Sequence, residues 1–451
     1  MNILVVFSDQ QHKYAFGKRD KTFITPHLDA LCDEGVLFRN GYSNNPVCGP
    51  YRGCLMTGQL TSRSGVTHNG DPLPADCYPI ARAFRDAGYQ TCFVGKWHLG
   101  AEGDNRIPEE QRGGFEHFIG YQCYNGFDPN PPYCNDVFFY DENNVRHTYQ
   151  KHRTDVTTDL AIEKLRLMGK EGRPFFAVVG YQAPHYPEQP SPAYEALYDG
   201  VVFEHTPDYK EVDPYTPTFS PKSPRPFEKC PDYRRYGGNM AEYQKLYAAL
   251  CTQIDAGVGR IVETLKEIGV YEDTLIVYTS DHGDMQGSHG LKNKGVPFEK
   301  SAGVPFIVRV PDGLKGVVSD ELVSGIDIYP TVLEAAGITA RTHLDGHSLF
   351  PYLKGEISSV QDHILSEYML GEEPWRMIRT SKYKLVCTLE GYQPVAFYDM
   401  ENDPYELHDL KDLPQNAGII GELTRKLKDE TFTVRIKTVD DPTNPLRQSN
   451  S

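Results

Sequence analysis

Short apolar runs alternate with helix-spaced patterns along most of the chain. Residues 3–7, ILVVF, form an apolar run stopped by Ser8-Asp9. AFRDAGY (83–89) closes a helix with Gly88 as its C-cap, and QTCFVG (90–95) follows as a strand. TDVTTDLAIEKLRLMGKEG is a capped helix and PFFAVVGY the strand after it. MAEYQKLYAALCTQIDAGVGRIVETLKEIG is a long helix, followed by the strand TLIVYTSD, the apolar run PFIVRVP and the helix DIYPTVLEAAG. Such alternation predicts an α/β fold, a large mostly parallel sheet sandwiched by helices.

Two segments break the rhythm. Residues 120–150 are rich in Tyr, Asn and Pro, and residues 199–238 carry seven prolines between Pro207 and Pro231. Long irregular stretches in a compact domain are commonly functional. Together with the turn expected at EEPWRMIR (372–379), they are expected to shape a pocket. After LFPYLKGE the pattern changes to two antiparallel-looking stretches, WRMIRTSKYKLVCT and VAFYDMENDPYELHDL, then a helix. The expected organisation is a catalytic α/β domain at 1–356 and a smaller α+β subdomain with an antiparallel sheet at 357–451.

Composition narrows the partners. Among 451 residues the net charge is −16, which disfavours nucleic acid. An anionic small substrate is compatible, provided that its site is locally positive. No apolar run reaches eighteen residues, so no membrane span is expected. The start, MNILVVFSDQQ, lacks a basic region and reads as a strand, which points to a cytoplasmic protein, or to a periplasmic or secreted one with its leader removed. Ten cysteines without CxxC spacing indicate free buried thiols.

The densest chemistry lies in NNPVCGPYRGCLMTGQ (44–59). Pro50 suits the first turn of a helix, which puts Cys48 at the helix N-terminus and Arg52 four residues on, on the same side. A helix N-terminus is electropositive, so a nucleophile and a guanidinium would meet one anion there. A cysteine-dependent phosphatase needs its arginine six positions after the cysteine, and position 54 is Cys. Asp9 and Asp281 both end strands, and in an open parallel sheet such groups meet in one crevice. With the Gln10 carbonyl oxygen they suit a hard cation such as Ca²⁺; imidazole, as in His282, is a less typical calcium ligand.

VCGPYRGCLMTG, GKWHLG (95–100), QAPHYP (182–187), SDHGDMQGSHGLKNKG (280–295) and DIYPTVLEAAGI…DGHSL occur in this order. In that order and spacing the chain resembles the type I, formylglycine-dependent sulfatases of the alkaline-phosphatase-like superfamily. The resemblance implies a sulfuric ester hydrolase acting on a small-molecule or oligosaccharide sulfate ester, with a carbohydrate sulfate as the expected substrate. It implies that a maturation enzyme converts Cys48 to formylglycine (3-oxoalanine), whose hydrate is the nucleophile. It implies that Asp9, Gln10, Asp281, His282 and the modified Cys48 surround one divalent cation, Ca²⁺, with Mg²⁺ or Mn²⁺ as alternatives. By the same resemblance Lys96 and Lys294 hold sulfate oxygens, Arg52 braces the hydrate, and His98 and His185 serve in proton transfer and leaving-group contact. Asn69, in GVTHNG, is a candidate substrate contact. Tyr51 departs from the Ser, Thr or Ala usual in the family at that place. Two rival readings stand beside this one. A phosphonate monoester or phosphodiester hydrolase of the same superfamily shares the metal and the formylglycine but lacks the Lys96-x-His98 pair. A non-catalytic sulfated-glycan binder would leave Cys48 as a thiol.

Overall fold

The computed structural model describes residues 1–100, 106–123, 137–211, 239–371 and 373–431. Its main sheet has ten strands: β1 (Asn2–Asp9), β2 (Val36–Tyr42), β3 (Gln90–Lys96), β4 (His117–Tyr121), β5 (Val137–Tyr140), β6 (Arg146–Tyr149), β7 (Phe175–Pro184), β8 (Thr274–Ser280), β9 (Phe306–Arg309) and β10 (Val317–Ser324). Their order is β10-β2-β9-β8-β1-β7-β3-β4-β5-β6. The central run β8-β1-β7-β3-β4 is parallel throughout. β9 runs antiparallel to both its neighbours, and β5 and β6 form an antiparallel edge.

Strand β1 explains the layering. Its apolar run is continuous because both faces are buried. Ile3, Val5 and Phe7 point into one core and Leu4 and Val6 into the other. The first core is covered by α2 (Cys48–Thr57), α3 (Ile80–Asp86) and α6 (Ile328–Ala335). The second is covered by α1 (Pro26–Asp33), α4 (Arg153–Lys170) and α5 (Met240–Glu267). Each large apolar side chain buried this way contributes roughly 1.5–3 kcal/mol, so a central strand with no exposed face anchors the sheet.

A second sheet of four antiparallel strands follows: β11 (His363–Tyr368), β12 (Trp375–Thr380), β13 (Tyr383–Thr388) and β14 (Pro394–Asp399). Helix α7 (Ala417–Glu430) packs Ile420, Leu423 and Leu427 on one face, against Ile378, Leu385 and Phe397. The other face sets Ile364, Trp375, Met377 and Val386 against Tyr42, Val47 and Ala302 of the main domain. A buried ionic cluster crosses the same seam. Lys384 Nζ lies 2.7 Å from Glu299 and 2.6 Å from Glu406, Glu299 also binds Lys13, and Arg379 Nε donates to the Tyr42 hydroxyl at 3.0 Å.

Two expectations need correction. Residues 375–379 are not part of a pocket-lining turn: Trp375–Thr380 is an inner strand. Trp375 and Arg376 are buried, Arg376 against Glu367 at 3.0 Å, so neither is a platform for a sugar. The stretch 120–150 is not all loop, since Val137–Tyr140 and Arg146–Tyr149 form the edge hairpin. Runs of four residues are too short for a period to show. Residues 124–136 of that stretch and residues 212–238 of the proline-rich stretch lie outside the described residues.

Among the described residues no helix is long and apolar enough to cross a membrane. Cys32, Cys48, Cys54, Cys92, Cys251 and Cys387 are buried thiols, and Cys77 is a half-buried one.

Candidate active site

Four neighbouring parallel strands end on one side of the sheet, and their ends carry most of the site. Asp9 closes β1, Lys96 closes β3, His185 follows β7, and Asp281 and His282 follow β8. Parallel register brings these groups together although they are scattered through the sequence. The β3–β7 crossing is tight: Gly95 (φ 115°) pairs with Gly180, and a Cβ on Gly95 would sit 2.0 Å from the Gly180 carbonyl oxygen. Only glycine fits there, and the next side chain is Lys96.

Helix α2 supplies the fifth wall. It starts at Cys48, with Pro50 in its first turn as the sequence predicts, and ends at Gly58 with φ 66°. Its N-cap, Val47, offers no side-chain acceptor. Asn69 does so instead: its Oδ1 accepts the Gly49 amide at 2.9 Å. Asn69 therefore stands beside Cys48, but with its oxygen engaged in holding the helix end. Tyr51 is fully buried, and its ring occupies the space left by the missing side chain of Gly325.

The Cys48 sulfur is surrounded. It lies 3.2 Å from His282 Nε2, 3.4 Å from Lys294 Nζ and 3.5 Å from Asp9 Oδ1. His282 Nδ1 is 3.0 Å from the Gly283 carbonyl, which can only accept, so Nδ1 carries the proton and Nε2 presents its lone pair. Arg52 reaches past the sulfur. Its Nη2 donates to Asp9 Oδ2 (3.1 Å) and Asp281 Oδ2 (3.2 Å), its Nη1 to the Lys96 carbonyl, and its guanidinium lies 4.8 Å from the centre of the Phe7 ring. Lys96 Nζ donates to Asp9 Oδ2 at 2.6 Å. The His185 amide donates to the Asp9 carbonyl at 3.1 Å, and His185 Nδ1 is 2.9 Å from the Tyr186 carbonyl.

Charge is dense and dry here. Burial alone would raise the Asp9 carboxyl, but Lys96 foremost, with Arg52 and Lys294, holds it well below the usual carboxylate range. Asp281 goes the other way, up to about 7, because burial and the charge of Asp9 outweigh Arg52. Burial, with Asp9, pushes the Cys48 thiol up to about 12. Burial and nearby cations depress the three imidazoles: Lys96 acts on His98, and Lys294 on His185 and His282. His98 follows β3 with φ 52°, a conformation unusual for a side-chain-bearing residue, and Gln10 has φ 74°. Such residues cluster where function over-determines the backbone.

The donors fit a cation. Ligand atoms of Asp9, Cys48, Asp281 and His282 all lie within 4.8 Å of one another, and all four residues are buried. Arg52 takes one oxygen of each carboxylate; the other two, Oδ1 of Asp9 and of Asp281, lie 3.6 and 3.4 Å from the His282 Nε2 lone pair, a set of acceptors that suits a cation. Gln10, next to Asp9, turns its side-chain oxygen to Lys294 Nζ at 2.7 Å.

Residues 1–338 match the family model described as Sulfatase. The chain belongs to the sulfatase family. Residues 287–432 also match the model of the C-terminal region of N-sulphoglucosamine sulphohydrolase. This sulfatase is 30% identical over 441 residues to an ulvan-active sulfatase of Formosa agariphila, covering 94% of this chain and 80% of that one. It is 27% identical over 493 residues to an N-acetylglucosamine-6-O-sulfatase of Bacteroides thetaiotaomicron, covering 95% and 86%. Among solved structures, a protein in complex with its substrate D-glucosamine-2-N,6-O-disulfate superposes with a TM-score of 0.79 at 24% identity, covering 95% of this chain and 97% of that one. A phosphonate monoester hydrolase from Silicibacter pomeroyi has a TM-score of 0.78 at 24% identity, covering 97% and 96%. These two superpositions speak for the fold, which is the mixed, largely parallel sheet with a separate antiparallel one.

Reading the sequence missed several residues around this site. Asp284 and Asn293 accept from the Gln10 side-chain amide, Tyr243 donates to Asp284, and Tyr247 accepts the His12 amide and donates to the Gln10 backbone carbonyl at 2.8 Å. Trp375 Nε1 donates to the Gly295 carbonyl at 3.0 Å, next to Lys294. Asp284 had a signal, as a further acid inside SDHGDMQGSHGLKNKG, and Trp375 one, inside EEPWRMIR, though as part of a turn; the tyrosines had none.

Proposed function

We propose that this sulfatase hydrolyses a sulfate monoester carried on a carbohydrate, with residue 48 as the nucleophile after its thiol has been converted to formylglycine. One observation carries the reading. Cys48 starts a helix whose first turn faces Lys294, His282 and Asp9 at once, the surroundings that a tetrahedral anion and its attacker both require. The carbohydrate part rests on relatives named for ulvan and for N-acetylglucosamine-6-O-sulfate.

Asp9, Gln10, Asp281, His282 and residue 48 are the groups to hold a divalent cation, calcium by the oxygen-rich donor set. Bound there, it supplies positive charge and polarisation to the oxygens at residue 48 and on the ester. Once converted and hydrated, residue 48 supplies a geminal diol: one oxygen takes the sulfuryl group from the alcohol, and the other restores the aldehyde as sulfate is expelled. Arg52 keeps both carboxylates in place. Lys96 and Lys294 bind the sulfate oxygens, and Lys294, 3.4 Å from the Cys48 sulfur, donates a proton to the departing alcohol oxygen. His185 and His98, held neutral by burial and neighbouring cations, accept protons. A proton on Nδ1 of His185, bound to the Tyr186 carbonyl, leaves Nε2 as the accepting atom.

Two measurements test this. Intact-mass analysis of protein from a host with the maturation enzyme is expected to show the loss that turns the Cys48 thiol into an aldehyde. A panel of sulfated mono- and oligosaccharides, run beside p-nitrophenyl sulfate and phenyl phosphonate esters, is expected to favour a sugar sulfate. An unmodified thiol with glycan binding and no turnover would sink the catalytic reading. Faster phosphonate turnover would reassign the substrate.

A further inference from the structure

The Gln10 side chain is held at both ends. Its Nε2 donates to Asp284 Oδ2 (2.5 Å) and Asn293 Oδ1 (3.3 Å), and its Oε1 accepts from Lys294 Nζ (2.7 Å). An amide can be turned over with little change of shape, so the neighbours decide which end faces which way. A carboxylate oxygen only accepts, and a lysine ammonium only donates. Asp284 therefore fixes the NH₂ end outward, and the oxygen points to the site. Asp284 is fully buried and is itself tied down. Its Oδ1 accepts the amides of Gln286 and Asn293, each at 3.1 Å, and its Oδ2 accepts the Tyr243 hydroxyl. The Met285 amide bonds back to the Asn293 carbonyl at 2.8 Å, which closes the loop whose next residue is Lys294.

We propose that Asp284 is a positioning residue that keeps the Gln10 amide oxygen turned toward the cation site. The proposal rests on the reading of Gln10 as one of the groups that hold the cation. With an amide at 284, two NH₂ groups would face each other. The Gln10 amide would then turn over and aim its hydrogens at the cation.

Calcium is titrated calorimetrically into the chelator-treated full chain. Asp284→Asn is expected to weaken calcium binding by about 10–100-fold, the usual cost of losing an outer partner of a ligand. Gln10→Glu alone sets carboxylate against carboxylate and is expected to weaken it too. The exchange protein, Gln10→Glu with Asp284→Asn, restores a matched donor and acceptor and is expected to regain wild-type affinity or better. In a Gln10→Ala background, Asp284→Asn is expected to cost no further affinity, because no amide is left to orient. Equal losses from Asp284→Asn in both backgrounds, or an exchange protein weaker than either single variant, would overturn the proposal. If Asp284→Asn does not fold, the exchange protein decides: binding supports the proposal and failure to bind rejects it. A wild-type chain that binds no calcium removes the cation reading and this proposal together. Additive cycles in a chain that binds calcium and desulfates remove the proposal alone.

Discussion

The site has two halves built in different ways. Asp9, Lys96, Asp281 and His282 sit at the ends of β1, β3 and β8, where strand register and burial on both faces leave no freedom. Lys294 rides a loop, held by the closure of residues 284–293 and by an indole from the second sheet. The strand half concentrates opposite charges on one another, with Asp9 shared by Lys96 and Arg52. The loop half offers a cation that leans on an amide oxygen and a sulfur. The first arrangement is a framework whose stability and chemistry are coupled. The second leaves a charge free to move onto a substrate.

The largest effect should come from breaking the strand half. Asp9→Ala leaves Lys96 and Arg52 as buried cations with one partner fewer. It is expected to reduce desulfation to background and to lower stability by about 3–5 kcal/mol in denaturant titrations. If stability is unchanged, the two halves are not distinct in the way described.

A group away from both halves sharpens the contrast. Asp255 on α5 accepts the amides of His27 and Leu28 at the start of α1, and burial pushes its carboxyl up to about 7. The folded chain then keeps a proton between roughly pH 4 and 7 that the unfolded chain has released. Its contribution is greatest below the unfolded value of 3.8 and is lost as pH rises through about 7. Asp255→Asn should therefore gain stability relative to wild type as pH rises over that window, by up to about 4 kcal/mol, with kcat unchanged. Denaturant midpoints at pH 4.5 and 8 check this, and a constant offset would contradict it.

Lys294→Ala tests the loop half. Loss of one charge proposed to bind the reacting group is expected to cost about 10²–10³ in kcat, with the melting temperature nearly unmoved because the loop is closed by Asp284. A large drop in melting temperature would place Lys294 in the framework instead.

Trp375→Phe should give the smallest effect. It removes one buried hydrogen bond, worth about 1 kcal/mol, and loosens Gly295 beside Lys294. A several-fold fall in kcat/KM on p-nitrophenyl sulfate, with the second sheet still folded by circular dichroism, is expected; unchanged kinetics would sever the second sheet from the loop half.

The sequence by itself determined the layered fold and the residues that meet around Cys48. Unbroken apolar runs mark strands buried on both faces. The end of such a strand is where a parallel sheet collects its chemistry, which marks Asp9 and Asp281 as a pair, while Lys96 was marked by the family resemblance of GKWHLG. Only the tertiary structure decided how those groups are held. The partner of Gln10 lies 274 residues away, and Trp375 lies 80 residues from the carbonyl it binds. Asn69 at the helix end, Gly325 under Tyr51 and the strand in place of a turn at Trp375 are likewise facts of packing. A side chain's hydrogen-bond partner depends on where distant segments come to rest, and local periodicity carries no record of that.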